Sequence, residues 1–103
     1  MAQGFCTEPT MPMPVDGAVA TADQMRAAMA DARNFIAQSE LYQACLTREA
    51  EAEKAQAAAG GQSLDPVIET GIHTKVDASK KAQERVGNMA NNAMAAFKNA
   101  HPN

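Results

Sequence analysis

The hydrophobic and polar positions of this chain form two long stretches with helical periodicity. In the first, residues 21–59, large side chains recur every three or four residues and fall on one broad face of an α-helix. Gln43 is a polar exception within that face, and after Leu46 the pattern thins into alanine and charged residues. This stretch predicts a long helix that has little to bury beyond Leu46. The residues on its face are Met25, Met29, Ala32, Phe35, Ile36, Ser39, Tyr42 and Leu46.

Local signals mark both ends of this first helix. Thr21 and Gln24 have the spacing of a capping box, in which each side chain accepts a hydrogen bond from the other residue's backbone N–H. Thr21 is therefore the predicted N-cap. Gly60-Gly61 ends the helix, because glycine is favoured just past a helix C-terminus.

The second stretch, residues 66–100, has apolar steps close to a heptad. Asp65-Pro66 fits an N-cap followed by proline at the first helical position. Gly71 interrupts the pattern and leaves open a later start, near Thr74 or Asp77. A short connection between two long helices makes them antiparallel neighbours. The apolar positions are Ile68, Ile72, Val76, Ala82, Val86, Met89, Ala93 and Phe97.

The first twenty residues have the composition of an extended arm. Pro9, Pro12 and Pro14 disfavour helix, and the spacing of the first two matches the three-residue turn of polyproline II. Asp16-Gly17 is a turn signal that can reverse the chain before the first helix. We expect the arm to fold back along that helix; the alternative is an unattached terminal segment.

Composition limits how much such a fold can bury. The chain has 103 residues, 4% of them aromatic and none of them Trp, and it is rich in alanine, which forms helices readily but carries little volume. The predicted fold is all-α: an antiparallel two-helix hairpin with an extended proline-rich N-terminal arm packed on the first helix. Its thin core favours support from a disulfide and from dimerisation into a four-helix bundle. We expect a single domain, 1–103, divided into arm 1–20, helix 21–59, loop 60–65 and helix 66–100.

The two cysteines lie at distances that allow them to pair. From Thr21 to Cys45 the helix spans about 36 Å, and the arm back to Cys6 spans about 45 Å less its reversal. A Cys6–Cys45 disulfide would close a loop of about 40 residues and stabilise the fold by about 4 kcal/mol through chain entropy. The alternative is two free thiols in a reducing cytosol.

The sequence contains few other signals of catalysis or ligand binding. No catalytic or phosphate-binding motif is present, so we expect neither enzymatic activity nor a cofactor. The net charge of -3 does not indicate the basic face that nucleic-acid binding requires. No apolar run reaches the roughly 20 residues needed to cross a bilayer. Met11-Pro12-Met13 supports an alternative, copper binding through thioethers with a histidine. Methionine more often fills gaps in a core.

Polar and small residues in the second helix indicate a helix–helix or subunit contact. Asn91 lies beside small residues that let two backbones approach, and Met89, Ala93 and Phe97 run through the same region. We expect the partner to be another protein or a second copy of the chain. The candidate interface residues are Tyr42, Gln43, Met89, Asn91, Ala93 and Phe97.

The arm and the first helix resemble small exported bacterial proteins of uncharacterised function. The shared features are a cysteine-proline arm and a helix containing Tyr-x-x-Cys-Leu, here Tyr42 to Leu46. The resemblance implies a periplasmic or secreted setting and a Cys6–Cys45 bridge, and no activity. The start, Met1 to Phe5, is interpreted as an initiator methionine on a processed secreted chain whose signal peptide has been removed. The expected function is a non-enzymatic binding or structural module of the bacterial cell envelope; the alternatives are periplasmic copper binding and a cytosolic helical interaction protein. The residues that carry the resemblance are Cys6, Pro9, Pro12, Pro14, Asp16, Gly17, Ala20, Thr21, Met25, Tyr42, Gln43, Ala44, Cys45 and Leu46.

Overall fold

A computed structural model of the chain describes residues 6–102, which form two α-helices and no strand. The first helix, α1, spans Ala22–Ala59, and the second, α2, spans Pro66–Ala100. Residues 1–5 and 103 lie outside the described residues, so the interpretation of Met1 to Phe5 as an added start stays a prediction.

Side chains cap both helices where the sequence predicts. Thr21 Oγ1 accepts a hydrogen bond from the backbone N–H of Gln24 at 3.1 Å, and Gln24 Oε1 accepts one from the N–H of Thr21 at 2.9 Å, so the capping box is confirmed. Asp65 Oδ1 accepts from the N–H of Val67 at 3.0 Å, with Pro66 as the first residue of α2. The second helix therefore starts early and runs without a break through Gly71.

The two helices pack antiparallel against each other, as predicted. Lys54 of α1 lies 3.4 Å from Glu69 of α2 near the connecting loop, whereas Met25 at the start of α1 packs with Ala93 near the end of α2. Gly61 in the loop has a φ of 76°, a left-handed conformation that glycine adopts without strain. The resulting molecule is a rod of 66 × 18 × 16 Å.

Six of the buried residues form two small clusters towards one end of this rod. The first is Ala20, Met25 and Ala93, and the second, one step along the hairpin, is Ala32, Phe35 and Val86. No residue from 47 to 78, a range that the structure describes in full, is buried. The core is therefore confined to the end opposite the loop.

The predicted Asp16-Gly17 turn is confirmed, and it contacts both helices. The backbone N–H groups of Val19 and Ala20 bond to the carbonyl oxygen of Asp16 at 3.2 and 3.1 Å. Gly17 is buried so closely against α2 that an added Cβ would lie 1.8 Å from the carbonyl oxygen of Ala93. The sequence predicts that the arm lies on the first helix alone; the turn reaches the second because glycine permits this backbone contact.

Candidate functional site

The structure brings together the two cysteines that the sequence paired. The sulfur atoms of Cys6 and Cys45 lie 2.05 Å apart and their Cα atoms 5.6 Å apart, a disulfide between the start of the described chain and the middle of α1. Both residues are half-buried. This bond joins the N-terminal part of the described chain to α1.

A shallow concave surface surrounds the disulfide. Its most exposed apolar side chain is Leu41, with 70% of its surface accessible. We name it the Leu41 surface. Its residues are Thr7, Pro9, Gln38, Leu41, Tyr42 and Cys45.

Tyr42 is the buried residue among those that line the Leu41 surface. Burial of the side chain raises the pKa of its phenol, and the carboxylates of Glu8 and Glu49 raise it further. One carboxylate oxygen of Glu49, Oε2, is inaccessible to solvent and has no hydrogen-bond partner in the described part of the chain. The phenol therefore keeps its proton to a higher pH than a free tyrosine does.

A chain of polar side chains crosses the interface between the helices. Gln43 Nε2 donates to Ser79 Oγ at 3.0 Å and to Gln83 Oε1 at 2.9 Å, and Gln83 Nε2 donates to the carbonyl oxygen of Ile36 at 3.0 Å. Gln43 is the polar exception in the apolar face of α1, and these bonds explain its place there. Ser39 is fully buried, and its Oγ has no hydrogen-bond partner within residues 6–102.

A second concavity, about 260 Å³ in volume, is lined by residues 12–17 and by residues of both helices. Three methionines line it, each from a different segment: Met13 from the arm, Met29 from α1 and Met89 from α2. No lysine or arginine is among its lining residues in the described chain. We name it the arm groove. Its walls are residues 12–17 together with Ala28, Met29, Ala32, Val86, Met89, Ala90, Asn92, Ala93 and Ala96.

The six candidate interface residues fall in different environments. Tyr42 is buried beside the disulfide, and Gln43 bonds across to α2. Met89 and Ala93 line the arm groove, whereas Asn91 is exposed. Phe97 packs on the first buried cluster and stacks on the ring of His101, with centroids 4.2 Å apart.

The two methionines of the copper alternative, Met11 and Met13, differ in whether they line the arm groove. Met13 lines the arm groove, and Met11 is not among its lining residues. The two histidines are exposed: His73 lies 4.0 Å from a carboxylate oxygen of Glu69, and His101 bonds to the carbonyl oxygen of Phe97. Within residues 6–102, no three His, Cys, Asp or Glu side chains are grouped so as to hold a metal ion.

Neither helix in the described chain is both long and apolar enough to span a membrane. No protein-family model, curated protein or solved structure matches the chain.

Proposed function

We propose that the chain is a non-enzymatic helical binding module of the bacterial cell envelope that acts through protein–protein contacts, first of all with a second copy of itself. The observation that carries the proposal is the large surface of the chain. Its accessible area is 7094 Å², whereas a compact monomer of 10.9 kDa exposes about 5,600 Å². The excess of about 1,500 Å² exceeds the roughly 800 Å² that each partner contributes to a standard interface.

The Leu41 surface is the proposed centre of this contact. Leu41 projects from the middle of α1, and the disulfide and Pro9 support the surface beside it. In a two-fold dimer the same patch meets itself, so one exposed leucine supplies an apolar contact twice. The pairing of two hairpins would complete a four-helix bundle and add the core that each hairpin lacks.

The disulfide supports the proposed compartment. Such bonds persist in the periplasm and outside the cell and are rare in reducing cytosol. An extended arm that packs on α1 between the Cys6–Cys45 bond and the Asp16-Gly17 turn belongs to this proposal, as does the likeness to small exported bacterial proteins. Intact mass of the native protein with and without reductant separates it from the cytosolic alternative, because a disulfide lowers the mass by about 2 Da.

Light scattering coupled to size exclusion tests self-association. The proposal predicts a particle of twice 10.9 kDa for the natural chain and of 10.9 kDa for Leu41→Glu, because the charge would be buried without a partner. Val67→Glu is the matched control, since Val67 is an exposed aliphatic residue of α2 outside the Leu41 surface. A natural chain that stays at 10.9 kDa at the highest concentration would refute the dimer.

A further inference from the structure

We propose that Met13, Met29 and Met89 bind a soft monovalent cation, Cu(I) or its analogue Ag(I), in the arm groove. The observation is that three methionines, far apart in sequence, line one groove from three different segments of the fold. The inference does not rest on self-association, because the arm groove and the Leu41 surface share no residue.

The groove combines one exposed methionine with two that are partly buried. Met13 has 88% of its surface accessible, so its sulfur can meet an ion from solution, whereas Met29 and Met89 are half-buried in the walls. Each methionine has three rotatable side-chain bonds and can turn its sulfur into the cavity of about 260 Å³. The arm, fixed by the disulfide and by Gly17, holds Met13 opposite the two helices.

The chemistry of the groove selects for a soft ion of low charge. Thioether sulfur is a neutral, polarisable ligand that favours Cu(I), whereas Ca²⁺ and Mg²⁺ require several oxygen ligands and Zn²⁺ favours thiolate or imidazole. Asp16 is the one charged residue among the groove's lining residues in the described chain, and its sign favours a cation. Both cysteines are bonded to each other, so neither offers a thiolate that competes for the metal.

The placement of the methionines changes which residues carry the metal hypothesis. The sequence paired Met11 with Met13 because they are two residues apart. In the fold Met13 shares a groove with Met29 and Met89, and Met11 is not among the lining residues. Met11 therefore serves as a control of the same residue type on the same arm.

Methyl NMR tests the proposal directly. The full oxidised chain is labelled with ¹³C at the methionine methyl groups, assigned through single Met→Leu variants, and titrated with Ag(I), which needs no reductant. We expect the Met13, Met29 and Met89 methyl signals to shift together and saturate, and those of Met11 and Met94 to stay in place. Zn²⁺ at the same concentrations should shift none of the three.

Affinity measured by calorimetry on variants completes the test. Met13→Leu should weaken Ag(I) binding at least about tenfold, and Met11→Leu should change it by less than about twofold. Met13 is exposed, so its replacement leaves the fold intact, which the circular dichroism of both variants checks. Absence of Ag(I)-induced shifts, equal shifts at Met11, or undiminished binding by Met13→Leu would each overturn the proposal. The Leu41→Glu variant should bind Ag(I) as the natural chain does, so failure of the metal site and failure of the dimer are distinguishable.

Discussion

The two ends of the hairpin differ in whether their residues are buried. The arm half comprises residues 6–46 and 79–102, and the loop half comprises residues 47–78. Every buried residue in the described chain lies in the arm half, including the fully buried Leu46 and Val86. The loop half consists of the same two helices with no buried residue.

The loop half remains helical for local reasons. Its segment of α1 is rich in alanine and charged residues, which have high helix propensity, and each helix continues from a packed segment without a new nucleation step. Its ion pair, Lys54 with Glu69, is more than a third exposed and contributes little to stability. A helix can therefore extend far beyond its core, but that extension adds little to the free energy of unfolding.

Shortening one aliphatic side chain in each half should give the largest difference in the free energy of unfolding. Leu46→Ala should lower the free energy of unfolding by about 2–5 kcal/mol, because it opens a cavity around a side chain that is 1% exposed. Ile68→Ala, in the loop half at 41% exposure, should change it by less than about 1 kcal/mol. Urea denaturation of the oxidised proteins measures both, and equal losses would contradict the division of the molecule.

Two glycine-to-alanine substitutions, one in each half, compare how closely the backbone is packed. Gly17→Ala should destabilise by at least about 1–3 kcal/mol, because its Cβ would overlap the carbonyl of Ala93 and push the turn off α2. Gly71→Ala, where an added Cβ meets no atom within 4 Å, should stabilise by about 0.5–1 kcal/mol through helix propensity. The thermal midpoints of the two variants should move in opposite directions. A neutral Gly17→Ala would show that the turn does not depend on its contact with α2.

Two buried serines of the arm half give a smaller, matched test. Ser79→Ala removes an acceptor of the Gln43 amide and should cost about 1 kcal/mol. Ser39→Ala removes a buried hydroxyl that has no partner within the described residues and should be neutral or stabilising. Denaturant midpoints compare them, and a larger loss at Ser39 would mean that its hydroxyl is bonded.

The smallest effect concerns Tyr42 at alkaline pH. Its pKa is raised above 10.0 in the folded chain, first by burial and then by Glu8 and Glu49, so the unfolded chain loses the phenolic proton first. The contribution of Tyr42 to stability is complete below pH 10 and declines as pH rises through the folded pKa. Tyr42→Phe should lose less stability than the natural chain between neutral pH and a pH above 10. Urea titrations measure both free energies of unfolding, and equal declines in the two proteins would contradict this role of Tyr42.

Local signals made much of the fold predictable from the sequence. The spacing of Thr21 and Gln24, the Asp65-Pro66 start and the apolar periodicity gave the helices, and the reach of the arm gave the cysteine pair. The axial register of one helix against the other was not predictable, because periodicity defines which face is buried but not which residues meet. The contact of Gly17 with Ala93 and the bond from Gln43 to Ser79 both depend on that register.

The arm groove was missed for the same reason. Met13, Met29 and Met89 are 16 and 60 residues apart, and no spacing rule connects them. The copper alternative drawn from the sequence instead used Met11 with Met13, a pair that is close in the chain. Only the folded chain brings Met13, Met29 and Met89 to the lining of one groove.

Hydrogen exchange of individual backbone amides tests the central claim, that packing in the arm half supplies most of the free energy of unfolding. Amides of the helices in the arm half, apart from the first turn of α1 and the last turn of α2, should exchange only through global unfolding. Those of residues 50–57 and 70–76 should exchange at least about tenfold faster through local opening. Uniform protection along both helices, or greater protection beside the loop, would contradict the account.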